Sequence, residues 1–260
     1  MSQQPRPRRL ENRVSENGAL LPAYATSIVQ QPYEHYVAED HAIWGDLMRR
    51  QEAVLEARAC EEWLGARQKL GLTSDRVPDF DKLNQLLGPA SGWQLVAVEG
   101  LLPGEFFFDL LASRQFPVTW WMRSRAQFDY LPEPDLFHDA YGHVPMLLNP
   151  VFGDFVQHYA SASLRATGDT LTRLSRLYWF TVEFGLMGTP EAPLIYGAGI
   201  LSSAGESVHA VDNPLVERVV FDPSAAMSQD YKIDVMQDKY FVVKDLKTLY
   251  TSVKPILDAI

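Results

Sequence analysis

Two histidines and one glutamate in strongly apolar surroundings constrain this chain more than any other feature. His138 and His143 lie in the segment PDLFHDAYGHVP, and Glu183 lies further along in YWFTVEFG. Burying such groups costs free energy unless they are paired or bind a metal. Two imidazoles and one carboxylate are the ligands of non-haem Fe(II) sites that keep open positions for O2 and substrate. The sequence therefore predicts a fold that brings these three side chains around one iron.

The spacing of the two histidines restricts the backbone between them. Residues five apart in an ideal α-helix are separated by about 500° of rotation, so His138 and His143 would point about 140° apart. They converge on one ion only if the helix bends or ends between them. Gly142 and the following Val144-Pro145 predict such a break.

Catalytic zinc also uses histidine and glutamate ligands, so a zinc-dependent hydrolase is the main alternative from another reaction class. Hydrolytic zincins carry HExxH on one helix, with the glutamate acting as base. That spacing is absent around His138 and His143, and Asp139 directly follows the first histidine. A catalytically silent module that binds aromatic molecules is a third alternative, but it would not need three intact metal ligands.

Composition limits the class of protein and its partners. A chain of 260 residues can form one domain with a sizeable core. The formal charge of −10 argues against nucleic acid and anionic membranes as partners, because both require a basic surface. Cys60 is the only cysteine, which excludes an internal disulfide and fits a reducing compartment. With no apolar run of transmembrane length and no signal core, we expect a cytoplasmic protein that acts on small molecules.

Hydrophobic periodicity predicts a mainly α fold with a small antiparallel β-sheet. We expect a flexible N-terminal arm over residues 1–20 and a single domain over residues 21–260. Helices are predicted over residues 41–70 (one long helix or a pair), 78–87, 135–141, 150–166 and 170–187, and strands over 93–98, 116–123 and 239–245.

Three segments around the predicted ligands closely resemble the signature blocks of the pterin-dependent aromatic amino acid hydroxylases. These segments are PEPDLFHDAYGHVP, YWFTVEFGL and YGAGILSSAGE, and the collinear match extends from about Gly92 to DKYFVVKDLKTLY near the C-terminus. Asp139 and Leu131 stand where the animal enzymes usually carry glutamate and threonine. The chain is therefore most similar to the bacterial members that hydroxylate phenylalanine at the para position, and the resemblance implies the family's catalytic-domain fold.

The resemblance implies an iron(II)- and tetrahydropterin-dependent monooxygenase that converts L-phenylalanine to L-tyrosine with O2. The cofactor would be tetrahydrobiopterin or a bacterial tetrahydropterin, and the reaction would pass through a peroxo-pterin and an Fe(IV)=O species that attacks the ring. Trp179 is the aromatic residue typical of phenylalanine and tyrosine hydroxylases. The same chemistry on tryptophan, or at the meta position of phenylalanine, stays open.

The resemblance also implies the roles of individual residues. The metal ligands would be His138, His143 and Glu183. Residues that contact the pterin would be Leu102, Gly104, Phe107, Asp139 and Tyr178. Residues that bind the amino acid would be Arg123, Leu131, Pro132, Asp135, Trp179, Phe184 and Ser202. Glu206 would support a metal-binding histidine.

We expect the chain to be a monomer. The additional domains of the animal family members are missing, and the C-terminal segment LKTLYTSVKPILDAI is short. Pro255 within it would interrupt a coiled coil, because proline cannot continue an α-helix without losing a hydrogen bond.

Overall fold

Helices dominate residues 28–260, which are the part of the chain that the computed structural model describes. The arm expected over residues 1–20 lies outside the described residues, and the domain boundary at residue 21 stays a prediction. The α-helices are α1 (Ala38–Leu55), α2 (Glu61–Lys69), α3 (Phe80–Ser91), α4 (Gly104–Ala112), α5 (Pro150–Arg165), α6 (Gly168–Tyr178), α7 (Ala198–Leu201), α8 (Ala204–Asp212), α9 (Pro223–Ala226) and α10 (Leu246–Asp258).

Two further helical stretches are wound more widely than an α-helix. The first π-helix is Phe137–His143, and the second π-helix is Trp179–Glu183, which continues α6. Short 3-10 turns occupy Tyr33–His35, Arg125–Gln127 and Val144–Leu148. The predicted mainly α character is confirmed, and the helix or helix pair expected over residues 41–70 is a pair.

The strands form two small mixed sheets, so the expectation of one antiparallel sheet is wrong. The strands are β1 (Ile28–Val29), β2 (Gln94–Val98), β3 (Gln115–Thr119), β4 (Leu186–Thr189), β5 (Ala192–Ile195), β6 (Glu217–Val220) and β7 (Lys239–Val243). One sheet has the order β1-β2-β3 and the other β5-β4-β7-β6. The pairs β2–β3, β4–β7 and β6–β7 are parallel. Helix α4 crosses over between β2 and β3, and such a connection returns the chain in its original direction.

Two predicted helix boundaries are also wrong. Helix α3 does not end at residue 87, as predicted, but continues to Ser91, and Gly92 caps it in the left-handed conformation with φ 76°. The helix expected over residues 170–187 ends earlier, because Leu186 and Met187 pair with β7 in the second sheet. Local periodicity cannot reveal such a long-range pairing.

The first π-helix lies inside the hydrophobic core. One cluster of buried apolar side chains runs from α1 to α10 and includes Phe137 and Tyr141 of this helix. The rings of Phe137 and Tyr141 stack with centroids 4.7 Å apart, and the edge of Trp63 on α2 lies against Tyr141 at 5.0 Å. The core therefore fixes the segment that carries both histidines. None of the helices described between residues 28 and 260 is long and apolar enough to cross a membrane.

Candidate metal centre and active site

The π-winding of the first ligand segment brings the two histidines onto one side. The backbone N–H of Val144 donates to the carbonyl of Asp139, five residues earlier, instead of the four of an α-helix. Under this wider winding, residues five apart lie on nearly the same face. His138 and His143 therefore converge without the break that the sequence predicted at Gly142. The helix passes directly into a 3-10 turn.

Glu183 is the last residue of the second π-helix. The N–H of Phe184 donates to the carbonyl of Trp179 at 2.8 Å, again across five residues. Single π-turns inserted in α-helices are rare and occur frequently at functional sites. Both segments that supply predicted metal ligands therefore share an uncommon backbone geometry.

Two glycines allow helix α7 to pack closely against both π-helices. A Cβ atom on Gly142 would lie 2.7 Å from the carbonyl oxygen of Ala198. A Cβ atom on Gly197 would lie 2.5 Å from the carbonyl oxygen of Glu183. Real Cβ atoms do not approach oxygen so closely, so glycine at both positions permits the two ligand segments to meet across α7.

The three predicted ligands lie together. The Nε2 atoms of His138 and His143 are 3.1 Å apart. Glu183 presents Oε1 to His143 Nε2 at 3.2 Å and Oε2 to His138 Nε2 at 3.7 Å. Two nitrogens that bind one ion at about 2.0–2.1 Å, with an angle near 90°, are themselves about 3 Å apart. The donor set therefore fits one ion, and two imidazoles with one carboxylate suit Fe(II) with open positions.

Ser202 determines which nitrogen of His138 is available to a metal. Its hydroxyl donates to the carbonyl of Ala198 at 2.8 Å and lies 2.9 Å from His138 Nδ1. Because the single hydroxyl proton is used on Ala198, Ser202 Oγ accepts from Nδ1–H of His138. Nε2 is then the nitrogen with a free lone pair. A partner on the remote ring nitrogen is the usual way in which proteins orient a histidine ligand.

The electrostatics of the buried site favour metal-binding forms of two of the ligands. Burial lowers the pKa of His138 to about 4, so its imidazole is neutral near pH 7. Burial raises the pKa of Glu183, but the charges of His143 and His138 and a hydrogen bond from His143 outweigh this, and the net pKa is lowered. Burial lowers the pKa of His143, while Glu183 and Asp139 more than compensate and leave it raised. A neutral imidazole and an ionised carboxylate are the forms that bind metal.

Asp139 connects the first π-helix to strand β3. Its Oδ2 accepts the backbone N–H of Thr119 at 2.7 Å, and only 8% of the residue is exposed. Burial raises the pKa of Asp139 to about 7. The hydrogen bond to the pterin or to iron-bound water that the resemblance implies stays a prediction.

Arg123 and Asp135 form a buried ion pair beside the metal ligands. Nε and Nη2 of Arg123 each lie 2.9 Å from one oxygen of Asp135, and Asp135 is fully buried. Asp135 Oδ1 also accepts the backbone N–H of His138 at 3.1 Å. The same carboxylate therefore orients the arginine and joins it to the start of the first ligand segment.

The remaining predicted amino-acid-binding residues lie in two places. Trp179 is stacked between Phe184, with ring centroids 4.5 Å apart, and Tyr231, at 4.3 Å. Leu131 is half-buried and Pro132 exposed in the stretch that connects a 3-10 turn to the first π-helix. The structure thus brings Trp179 and Phe184 together at the two ends of the π-helix that carries Glu183.

Three of the predicted pterin-binding residues lie at the start of α4, and Tyr178 at the end of α6 packs against one of them. Leu102 precedes this helix and is half-buried, and the exposed Gly104 begins it. Phe106 is buried, whereas Phe107 is only partly buried and meets Tyr178 edge to face at 6.0 Å. Phe107 and Phe108 both keep partly exposed rings, and Phe107 is the one that lies beside Tyr178.

The structure corrects one expectation and adds residues that the sequence did not identify. Glu206 does not contact a metal-binding histidine: its Oε1 accepts the N–H of Gln237 at 3.1 Å and the hydroxyl of Tyr240. Phe116 packs against the ring of His143 at 5.1 Å, and Thr119 holds Asp139. Both belong to β3, and no sequence signal links that strand to the ligands.

Comparison with known proteins agrees with this geometry. The family model described as "Biopterin-dependent aromatic amino acid hydroxylase" matches residues 19–259. Phenylalanine-4-hydroxylase of Chromobacterium violaceum is 50% identical over 226 residues, which cover 86% of this chain and 76% of that protein.

Solved structures of the Chromobacterium violaceum enzyme are also similar to this chain. The structure with bound iron(III) and oxidised cofactor 7,8-dihydrobiopterin matches with a TM-score of 0.85 and 48% identity, covering 90% of this chain and 85% of that one. The structure with bound iron and phenylalanine matches with a TM-score of 0.82 and 46% identity, covering 90% and 87%. On the family match and these similarities, the chain belongs to the biopterin-dependent aromatic amino acid hydroxylases.

Proposed function

We propose that this protein is an iron(II)- and tetrahydropterin-dependent monooxygenase that hydroxylates L-phenylalanine to L-tyrosine. The observation that carries the proposal is the convergence of His138, His143 and Glu183, whose donor atoms lie close enough together to hold one ion. The buried pair of Arg123 and Asp135 lies directly beside these ligands and supports an amino acid as the substrate. The iron- and phenylalanine-bound state of the Chromobacterium violaceum enzyme supports the same assignment.

Iron and reduced pterin, when bound, supply the activation of O2 and the oxidation of the aromatic ring. The protein's own contribution is to hold the reactants in place and to exclude water. His138, His143 and Glu183 would hold the iron on one side and leave its other positions open. Ser202 would keep the Nδ1 proton on His138 and so keep Nε2 directed at the metal.

Arg123 would bind the carboxylate of the amino acid. Asp135 occupies the Nε–Nη2 edge of the guanidinium, and Nη1 lies 3.4 Å from the carbonyl oxygen of Phe128. The edge formed by Nη1 and Nη2 is therefore the one that can face a substrate carboxylate. The ring of the substrate would then lie towards Trp179 and Phe184.

The pterin would stack on the partly buried face of Phe107, close to Tyr178. Leu102 and Gly104 would offer backbone groups to its polar edge, and Asp139 would contact the pterin or iron-bound water. Family membership removes the support for a zinc-dependent hydrolase, which shares the donor set but not the surrounding residues.

An assay with each aromatic amino acid tests the proposed function. Purified protein is supplied with Fe(II), reduced tetrahydropterin and O2, and the products are identified by chromatography and mass spectrometry. We expect tyrosine from phenylalanine, and parallel zinc-loaded protein should be inactive. A main product from tryptophan, or meta-hydroxylated phenylalanine, would establish one of the alternatives instead.

Replacing Trp179 with phenylalanine is expected to raise tryptophan hydroxylation relative to phenylalanine hydroxylation. The smaller ring would open space for an indole, and pockets discriminate such differences by about 1–3 kcal/mol, or about 10–200-fold in relative kcat/KM. Iron content should stay unchanged, because Trp179 supplies no ligand. The measurement is the kcat/KM ratio for the two substrates. An unchanged ratio at full iron occupancy would show that Trp179 serves only as packing.

We further propose that the protein is a cytoplasmic monomer. The net charge of −10 and the single buried Cys60 are compatible with a reducing, aqueous compartment. Light scattering at micromolar concentration should give the mass of one chain. A stable dimer or tetramer at that concentration would contradict the proposal.

A further inference from the structure

Gln237 joins Trp179, which the proposed function places in the wall of the ring pocket, to the segment that follows α9. This residue is only 5% exposed and stands near the end of residues 227–238, which connect α9 to β7 without a helix or strand. We call residues 229–238 the covering segment, because Tyr231 within it stacks on the indole of Trp179. Nothing in the signature blocks or in the metal geometry assigns a role to Gln237.

The side-chain amide of Gln237 is fully engaged. Its Oε1 accepts from the indole Nε1–H of Trp179 at 3.0 Å. Its Nε2 donates to the carbonyl oxygen of Lys232 at 2.8 Å and to that of Val235 at 3.0 Å. One amide group therefore ties the indole of the pocket wall to the backbone of the covering segment.

The backbone of Gln237 is anchored separately. Its N–H donates to Oε1 of the buried Glu206 at 3.1 Å, and its carbonyl lies 2.9 Å from His209 Nε2. The same carboxylate oxygen of Glu206 also accepts the hydroxyl of Tyr240 on β7. These contacts fix the backbone of Gln237 to α8 and β7. Its side chain therefore meets the indole of Trp179 from a fixed position.

Stacking alone does not determine which edge of the Trp179 indole faces the pocket. The rings of Phe184 and Tyr231 each stack on the indole of Trp179, at interplanar angles of 28° and 14°. Stacking holds the plane of the indole, but a turn of about 180° around the Cβ–Cγ bond keeps that plane and exchanges the two edges of the ring. A hydrogen bond to Nε1–H removes that rotation, since it is directional. Gln237 therefore determines which edge of the indole faces the pocket.

We propose that Gln237 is a positioning residue that sets the orientation of Trp179 and the position of the covering segment, and thereby the binding of the substrate ring. This inference rests on the proposed function for its kinetic consequence. The structural part of the inference does not rest on the proposed function, because Gln237 contacts the indole of Trp179 directly. Gln237 acts through Trp179 and contacts neither the metal ligands nor Arg123 in the described structure.

The test replaces Gln237 with methionine, which has a similar length but no amide. Gln229→Met is the matched control, because Gln229 belongs to the same segment and its amide donates only to the exposed carbonyl of Asp230. We expect Gln237→Met to raise KM for phenylalanine about 5- to 10-fold, the range that loss of one buried hydrogen bond produces. Iron content and kcat should stay within about twofold, and the control should match wild type.

Circular dichroism of the metal-free protein provides a readout that does not depend on activity. The parallel Trp179–Tyr231 stack, with centroids 4.3 Å apart, should give a coupled aromatic signal. We expect Gln237→Met and Trp179→Phe to lose the same component, with helix content unchanged, and Gln229→Met to retain it. Retention of the signal in Gln237→Met would overturn the proposed positioning.

A double-mutant cycle decides whether Gln237 acts through Trp179. If it does, the effects of Gln237→Met and Trp179→Phe on KM should not multiply, since either change already breaks the same contact. Multiplicative effects would overturn the proposal and leave Gln237 as an anchor of the segment alone. A wild type without hydroxylase activity would refute the proposed function, while circular dichroism would still decide the positioning role.

Discussion

Replacing His143 with alanine is expected to remove iron from the protein and to abolish hydroxylation. His143 is 5% exposed, and its Nε2 lies 3.1 Å from His138 Nε2 and 3.2 Å from Glu183 Oε1. Loss of one of three protein ligands should weaken metal binding by more than the roughly 10–100-fold seen when a ligand's hydrogen-bond partner is removed. The iron content measured by metal analysis should fall from about one iron per chain to near zero.

The control for this variant is His35→Ala, because His35 is exposed in a 3-10 turn near the start of the described residues. It should retain iron and activity. The unfolding transition of metal-free His143→Ala should also be compared with that of metal-free wild type, so that lost iron is not confused with lost folding. Full activity of His143→Ala without added iron would refute the ligand assignment.

Replacing Asp135 with alanine is expected to destabilise the protein by about 3–5 kcal/mol, since it leaves Arg123 buried without its partner. It also removes the acceptor for the backbone N–H of His138. Urea unfolding of the metal-free protein measures the decrease in the free energy of unfolding. The control is Asp129→Ala, because Asp129 pairs with Arg50 at the surface with 89% of its side chain exposed. That pair should contribute no more than about 1 kcal/mol.

A double variant separates the stabilising role of the buried pair from its role in substrate binding. Arg123→Met combined with Asp135→Leu removes both charges and keeps apolar volume, so the part of the loss that comes from the unpaired charge should be recovered, while the backbone N–H of His138 still lacks its acceptor. Binding of phenylalanine should not recover, because no guanidinium remains for its carboxylate. An Asp135→Ala variant as stable as Asp129→Ala would contradict the importance of the buried pair.

The ligand triad could be predicted from the sequence because chemistry restricts it so strongly. Few roles other than metal binding account for His138, His143 and Glu183 in such apolar surroundings, and the structure places them together. The winding that brings them together could not be predicted. An α-helix and a π-helix differ by one residue in hydrogen-bond register, and here packing of Tyr141 and Gly142 against α2 and α7 accompanies the wider register.

The direction of strand pairing and the hydrogen-bond partners of residues distant in the chain could not be predicted from the sequence either. Sequence patterns located β2, β3 and β7, but the parallel pairing of β2 with β3 depends on the path of the crossover. Glu206 was expected beside a histidine and instead binds Gln237 and Tyr240. A buried carboxylate requires a partner, yet its sequence neighbours do not identify which one.

The sequence by itself determined the helical character, the metal-binding residue types and the family of this protein. These features follow from periodicity, from the chemistry of buried ionisable groups and from long motifs that are local in the chain. Only the tertiary structure decided the π-winding at both ligand segments, the parallel strand pairs and the contact between Trp179 and Gln237. Each of these depends on groups distant in sequence, whose hydrogen bonds and packing override the local preference of the backbone.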